Sequence, residues 1–144
     1  MKHIALMAIL LVTLAGLTQA SNTLADPTSG KWIVDSVIRD GKADDDLKGA
    51  TRIHEGEKYS VTPVAGSKSP TVSGLLVVDA KKKPFWIEMK PSAGRYKDKT
   101  LLGIAKVDED KLMICFAEPG KDRPTIFDSK EGSGVVLVVH TRAK

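Results

Sequence analysis

Residues 103–127, GIAKVDEDKLMICFAEPGKDRPTIF, constrain the fold more than any other part of the chain. Leu112, Met113, Ile114, Cys115, Phe116 and Ala117 are apolar without interruption. The run is too short for a core helix. In a strand, successive side chains point to opposite faces, so the run needs apolar cover on both sides. The acidic turn Asp108-Glu109-Asp110 joins it to a preceding strand-like segment, and Pro119, Gly120 and Pro124 hold the loop that follows. The rest of the chain reads as strands that supply the two covers.

Residues 31–39 are rich in β-branched side chains and stop at Asp40-Gly41. Simple alternation puts Trp32, Val34, Ser36 and Ile38 on one face, with Ile33 and Val37 on the other. Residues 43–49 predict one helical turn ended by Gly49. The adjacent aspartates Asp44, Asp45 and Asp46 lack the alternate spacing and closing Glu of a calcium loop, so they read as a solvated acidic turn. Further strands are expected over residues 51–54, 58–64, 71–78, 85–90, 100–107, 111–117 and 135–142, with a short addition at 125–127. No long stretch has helical periodicity. About eight short strands at regular spacing predict an antiparallel all-β domain, and closure into a β-barrel removes exposed strand edges.

The N-terminus is expected to lie outside that domain. Lys2 and His3 precede an apolar run from Ile4 to Leu17, and Thr18-Gln19-Ala20 offers small residues for cleavage. This is the pattern of a secretory signal over residues 1–20, too short for a comfortable membrane span. Residues 21–29 then form a tether and residues 30–144 a single domain. The expected location is periplasmic or extracellular, with no membrane span after cleavage. Loss of Lys2 lowers the formal charge from +4 to +3. That mild excess, with few aromatic residues to stack bases, argues against nucleic acid as a partner. Cys115 is the only cysteine, so no intramolecular disulfide forms, and its apolar setting predicts a buried thiol.

Gly30-Lys31-Trp32 opens the first strand and Arg142 closes the last. In lipocalin-like barrels a Gly-x-Trp packs near a basic residue of the final strand, with the cation over the indole. A longer set follows in order: Asp40-Gly41-Lys42, Leu47-Lys48-Gly49, Lys83-Pro84, Gly103-Ile104, Asp110-Lys111-Leu112, Cys115, Pro119-Gly120 and Arg123-Pro124. On these residues the chain resembles a lipocalin-like domain family of uncharacterised exported or multidomain proteins, known mainly from planctomycete bacteria. The resemblance implies a calycin-type antiparallel barrel of about eight strands. Its signature positions here are Gly30, Trp32, Gly103, Asp110, Cys115, Gly120, Arg123, Pro124 and Arg142. Ala105 departs from the family pattern, which carries an aromatic after Gly-Ile, and so bears on how the interior is filled. The family brings no established activity.

No enzyme motif is present: there is no nucleophile elbow, P-loop or zinc-protease helix signature, and no cofactor is expected. His54 and His140 lie far apart in sequence and read as strand residues at the surface or barrel rim, without a metal. Cys115 with His140 is the sharpest catalytic pairing available, and it requires a poised thiolate. Arg123, after a Gly-containing loop, reads as a pin to a backbone carbonyl before an anion site. The leading expectation is non-catalytic binding of a small apolar molecule, lined by Val34, Val72, Leu76, Phe85, Ile87, Met89, Leu101, Ile114 and Phe116. The alternative is an envelope or extracellular interaction module with a filled barrel. It would meet a protein or anionic polymer through Lys81, Lys82, Lys83 and Lys121. A Cys-dependent enzyme comes third.

Overall fold

The computed structural model of the protein describes residues 26–144. The expected signal over residues 1–20 and the first part of the tether lie outside the described residues. The elements are β1 (Gly30–Arg39), β2 (Lys42–Ala43), a 3-10 turn (Asp45–Leu47), β3 (Thr51–Glu55), β4 (Lys58–Thr62) and β5 (Val72–Asp79). They continue with β6 (Phe85–Pro91), β7 (Leu101–Asp108), β8 (Lys111–Ala117) and β9 (Val135–Arg142). Every pairing is antiparallel, in the order β1-β3-β4-β5-β6-β7-β8-β9, and β9 returns to β1. The result is a closed eight-stranded up-and-down barrel, as expected of a lipocalin-like chain. β2 is an extra strand paired with Ile38 and Arg39 of β1.

Closure places Trp32 opposite Arg142 and Val34 opposite His140. Between Val34 and Ser36 the register shifts by a β-bulge at Asp35. The bulge corrects the simple alternation expected for this strand. Trp32 and Val34 face the interior, but above the bulge it is Val37 that points inward, while Ser36 is exposed. The bulged Asp35 is held by Thr141 (Oγ1 to Oδ2, 2.6 Å) and Lys111 (Nζ to Oδ2, 2.9 Å).

The apolar run of β8 finds both its covers. Leu112, Ile114 and Phe116 enter the barrel core. Cys115 belongs to an outer cluster with Ile104 and Leu137, packed against Met113, Phe127 and Val135. The cover on that outer side includes the strap of residues 118–134. The strand expected at residues 125–127 does not form. Barrel closure explains this, since β7, β8 and β9 are already paired on both edges and offer no ladder to join.

Arg123 fastens the strap. Its Nη1 donates to the carbonyls of Ile87 (2.7 Å) and Gly103 (2.5 Å), and its guanidinium lies 4.5 Å from the Trp86 ring centroid. Gly103 is needed where β7 packs against β8: a Cβ there would sit 2.7 Å from the Cys115 carbonyl oxygen and 2.9 Å from Phe116 Cβ. Gly120 turns the strap with φ +83°, and Pro124 follows Arg123 half-buried.

Candidate functional site

β1, β4, β6 and β8 run from one end of the barrel to the other, and their antiparallel partners return. The end holding the start of β1 and the close of β9 is the base, and the opposite end is the mouth.

The base is filled. Trp32 is fully buried, with the Arg142 guanidinium 4.1 Å from its ring centroid and its Nε1 donating to the Thr28 carbonyl at 2.9 Å. Gly30, at φ +119°, keeps clear the space beside Arg142, since a Cβ would lie 3.2 Å from Nη1. Asp110 meets Arg142 from the β7–β8 turn, accepting its backbone N–H at 2.8 Å. Beside Trp32 lies a buried polar layer, with Arg52 opposite Trp32 and His54 opposite Gly30. Arg52 Nε donates to His54 Nε2 at 2.7 Å, His54 Nδ1 is 2.9 Å from Thr28 Oγ1, and Thr28 Oγ1 donates to Asp26 Oδ1 at 2.7 Å. That sequence of donors assigns the Nδ1–H tautomer to His54. His140 Nδ1 lies 3.0 Å from the Leu112 carbonyl, and its Nε2 is buried with no partner among the described residues.

Both histidines are therefore interior residues, which corrects their expected place at the surface or rim. Burial, reinforced by the Arg52 charge, lowers the pKa of His54 to about 2 and that of His140 to about 3, so both are neutral. The readable signal was phase: His140 lies on the same strand face as Val136 and Val138, which enter the core. Arg52 was missed altogether. Its strand carries one aliphatic residue, Ile53, and the apolar side chain is the exposed one. Burial lowers the pKa of Arg52 from 12.5 to about 10, and it remains a cation at neutral pH.

The mouth half is open. A cavity of about 230 Å³ extends from Arg52 to the rim. Of the nine side chains expected to line a ligand site, it takes Val34, Val72, Met89, Leu101 and Phe116. Leu76, Ile87 and Ile114 are buried in the core but do not reach the cavity, and Phe85 packs against that core. They correct the expected lining, since they pack in the core beside the cavity, Leu76 opposite Met89 and Ile114 opposite Val138. Val37, Tyr59, Val136 and Val138 add to the apolar wall. Ala105 is fully buried away from the cavity, so the departure at this position does not create it.

The rim is fastened by the acidic turn. Asp46 accepts from Ser67 Oγ (3.0 Å), from Ser69 Oγ and from the Lys68 backbone N–H (3.2 Å), drawing the loop of residues 63–71 over the mouth. The Ser69 hydroxyl, followed by the Lys68 amide, lowers the pKa of Asp46. Asp44 caps the 3-10 turn by accepting from the Asp46 amide. Asp46 thus latches a loop, a role the solvated-turn reading did not include.

Cys115 is fully buried in the outer cluster, its thiol 3.7 Å from the Asp128 carbonyl and its pKa raised by burial. His140 faces the interior on the other side of the wall, so the Cys115–His140 pair is not assembled. Among the described residues no group of three or more His, Cys, Asp or Glu side chains comes together to hold a metal. No helix among them is long and apolar enough to cross a membrane.

Fold and site together define a closed antiparallel β-barrel with a filled base and a small cavity at its mouth. Comparison with protein-family models, with curated proteins and with solved structures finds no match for the chain.

Proposed function

We propose that the protein is an exported binding module, periplasmic or extracellular, that holds a small apolar molecule in the mouth half of its barrel. Kinship with the planctomycete lipocalin-like family belongs to the same proposal and rests on the signature residues from Gly30 to Arg142. The observation that carries the reading is the 230 Å³ apolar cavity above a closed base. That volume is about half again the ~150 Å³ of an engineered apolar cavity that holds benzene. A neutral apolar fluorophore of that size should brighten on mixing with the wild-type protein. It should fail to do so with Val72→Trp, which fills the rim. Equal brightening in both proteins, or none in either, ends this reading.

A second reading draws on the outward face of β5 and β6, where Leu75, Val77 and Trp86 are exposed. Such a face suits a protein partner. The lysine loop expected to serve this role is partly engaged at home: Lys82 lies 4.6 Å from the Trp86 ring centroid and Lys83 lies 4.5 Å from that of Phe85. Salt-sensitive capture of an anionic polymer, abolished by charge reversal at Lys81, would favour it over cavity binding.

A further inference from the structure

The floor of the cavity carries a charge that the described residues do not neutralise. Arg52 is 5% exposed and lines the cavity. Its Nε is committed downward to neutral His54, and its Nη2 points at the Met89 thioether, Sδ at 3.0 Å. A thioether is a weak acceptor. These two bonds leave Nη1 without a hydrogen-bond partner among the described residues. None of the ion pairs among those residues includes Arg52. The carboxylate of Asp26 reaches it only through Thr28 and His54, on the side away from the cavity. The Tyr59 ring, its centroid 5.0 Å from Arg52 Cζ, attracts the cation without supplying a counter-charge, and a guanidinium this deep is ordinarily paired with an anion.

The cavity lining repeats the sign. It includes Arg39, Arg52 and Arg95 and no aspartate or glutamate. Arg39 is engaged with Asp44 at 3.4 Å, and the Arg95 guanidinium lies 5.5 Å from the Tyr96 ring centroid. An apolar slot with cationic groups along its wall and a cation at its floor attracts anions and excludes cations.

We infer that the ligand is a small monocarboxylate whose carboxylate pairs with Arg52 at the cavity floor and whose apolar body lies toward the mouth along Val72, Leu101 and Phe116. The inference rests on the reading of the cavity as a binding site. One unopposed positive charge matches one negative charge. A phosphate dianion would bury a second charge with no partner. The planar guanidinium offers Nη1 at once, and Nη2 on release of the weak Met89 contact, which completes a two-pronged pair.

Titration of the purified protein with octanoate, octan-1-ol and octyl phosphate separates the possibilities, because the three share one apolar body. Octanoate should bind about tenfold or more tighter than octan-1-ol, and tighter than octyl phosphate. In Arg52→Met, octanoate should fall to the level of octan-1-ol, while octan-1-ol binds as before. Should that variant not fold, the wild-type ranking decides alone, with Arg95→Gln at the rim expected to weaken octanoate by about threefold at most. If octan-1-ol equals octanoate, the carboxylate inference is overturned while apolar binding stands. If octyl phosphate binds best, the anion is a phosphate and the inference is equally overturned. If none binds, both the inference and the proposed function fall.

Discussion

The base and the mouth of this barrel are built from the same eight strands, yet they spend their interior differently. At the base, Trp32, Leu112, His54 and His140 fill the space, and most of their polar atoms find partners in Thr28 and the Leu112 carbonyl. At the mouth, valines and the small rim residues of the loops leave a cavity, and the deeply buried Arg52 guanidinium borders it. The difference teaches where stability and where binding reside. A filled layer gains dispersion and burial on all sides, whereas a cavity forfeits part of both and retains room for a ligand.

The comparison breaks first under matched truncations. Leu112→Ala in the base should cost about 4 kcal/mol and Leu101→Ala on the cavity wall about 2 kcal/mol, since the first opens a new void and the second widens one already present. Urea unfolding with unchanged m-value is the measurement, and equal losses would erase the distinction.

Acid should attack the base before the mouth. The folded-state values of His54 and His140, about 2 and about 3, lie below the ordinary 6.5. The unfolded chain therefore binds these protons first. The stabilisation is complete above about pH 6.5 and is lost as pH falls toward 3, by up to about 1.4 kcal/mol per pH unit for each histidine. The slope of stability against pH should be shallower in His140→Leu over this window; an unchanged slope would contradict the assignment.

Outside the barrel the effects are smaller. Arg123→Gln loosens the strap and should cost about 1 kcal/mol, because the carbonyls of Ile87 and Gly103 sit in the sheet ladder. It should leave ligand affinity at the mouth unchanged. Smallest in global terms, Asp46→Ala should speed hydrogen exchange at the Lys68 amide several-fold without moving the unfolding midpoint. A shifted midpoint would show that the latch supports the whole barrel and not the rim alone.

The class of fold was legible because β-patterning is local. The run Leu112 to Ala117 demanded two covers, and it received the barrel core on one side and an outer cluster under the strap on the other. Gly30, Trp32 and Arg142 announced how the base closes, and the structure stacks that cation on that indole. The candidate site was half legible. Five of the nine expected lining residues reach the cavity, because alternation tells inside from outside. Alternation does not tell packed core from open cavity, so Leu76, Ile87 and Ile114 share the inward face but lie in the core.

What the amino-acid order settled by itself was the eight barrel strands, most of their turns and most inward faces, all set by neighbours a few residues away. The bulge at Asp35, the burial of Arg52 and both histidines, and the position of the cavity were decided only when β9 met β1. Those features depend on contacts between residues more than a hundred positions apart, such as Thr141 on Asp35. Their energies arise from shared desolvation and register, which no local pattern records.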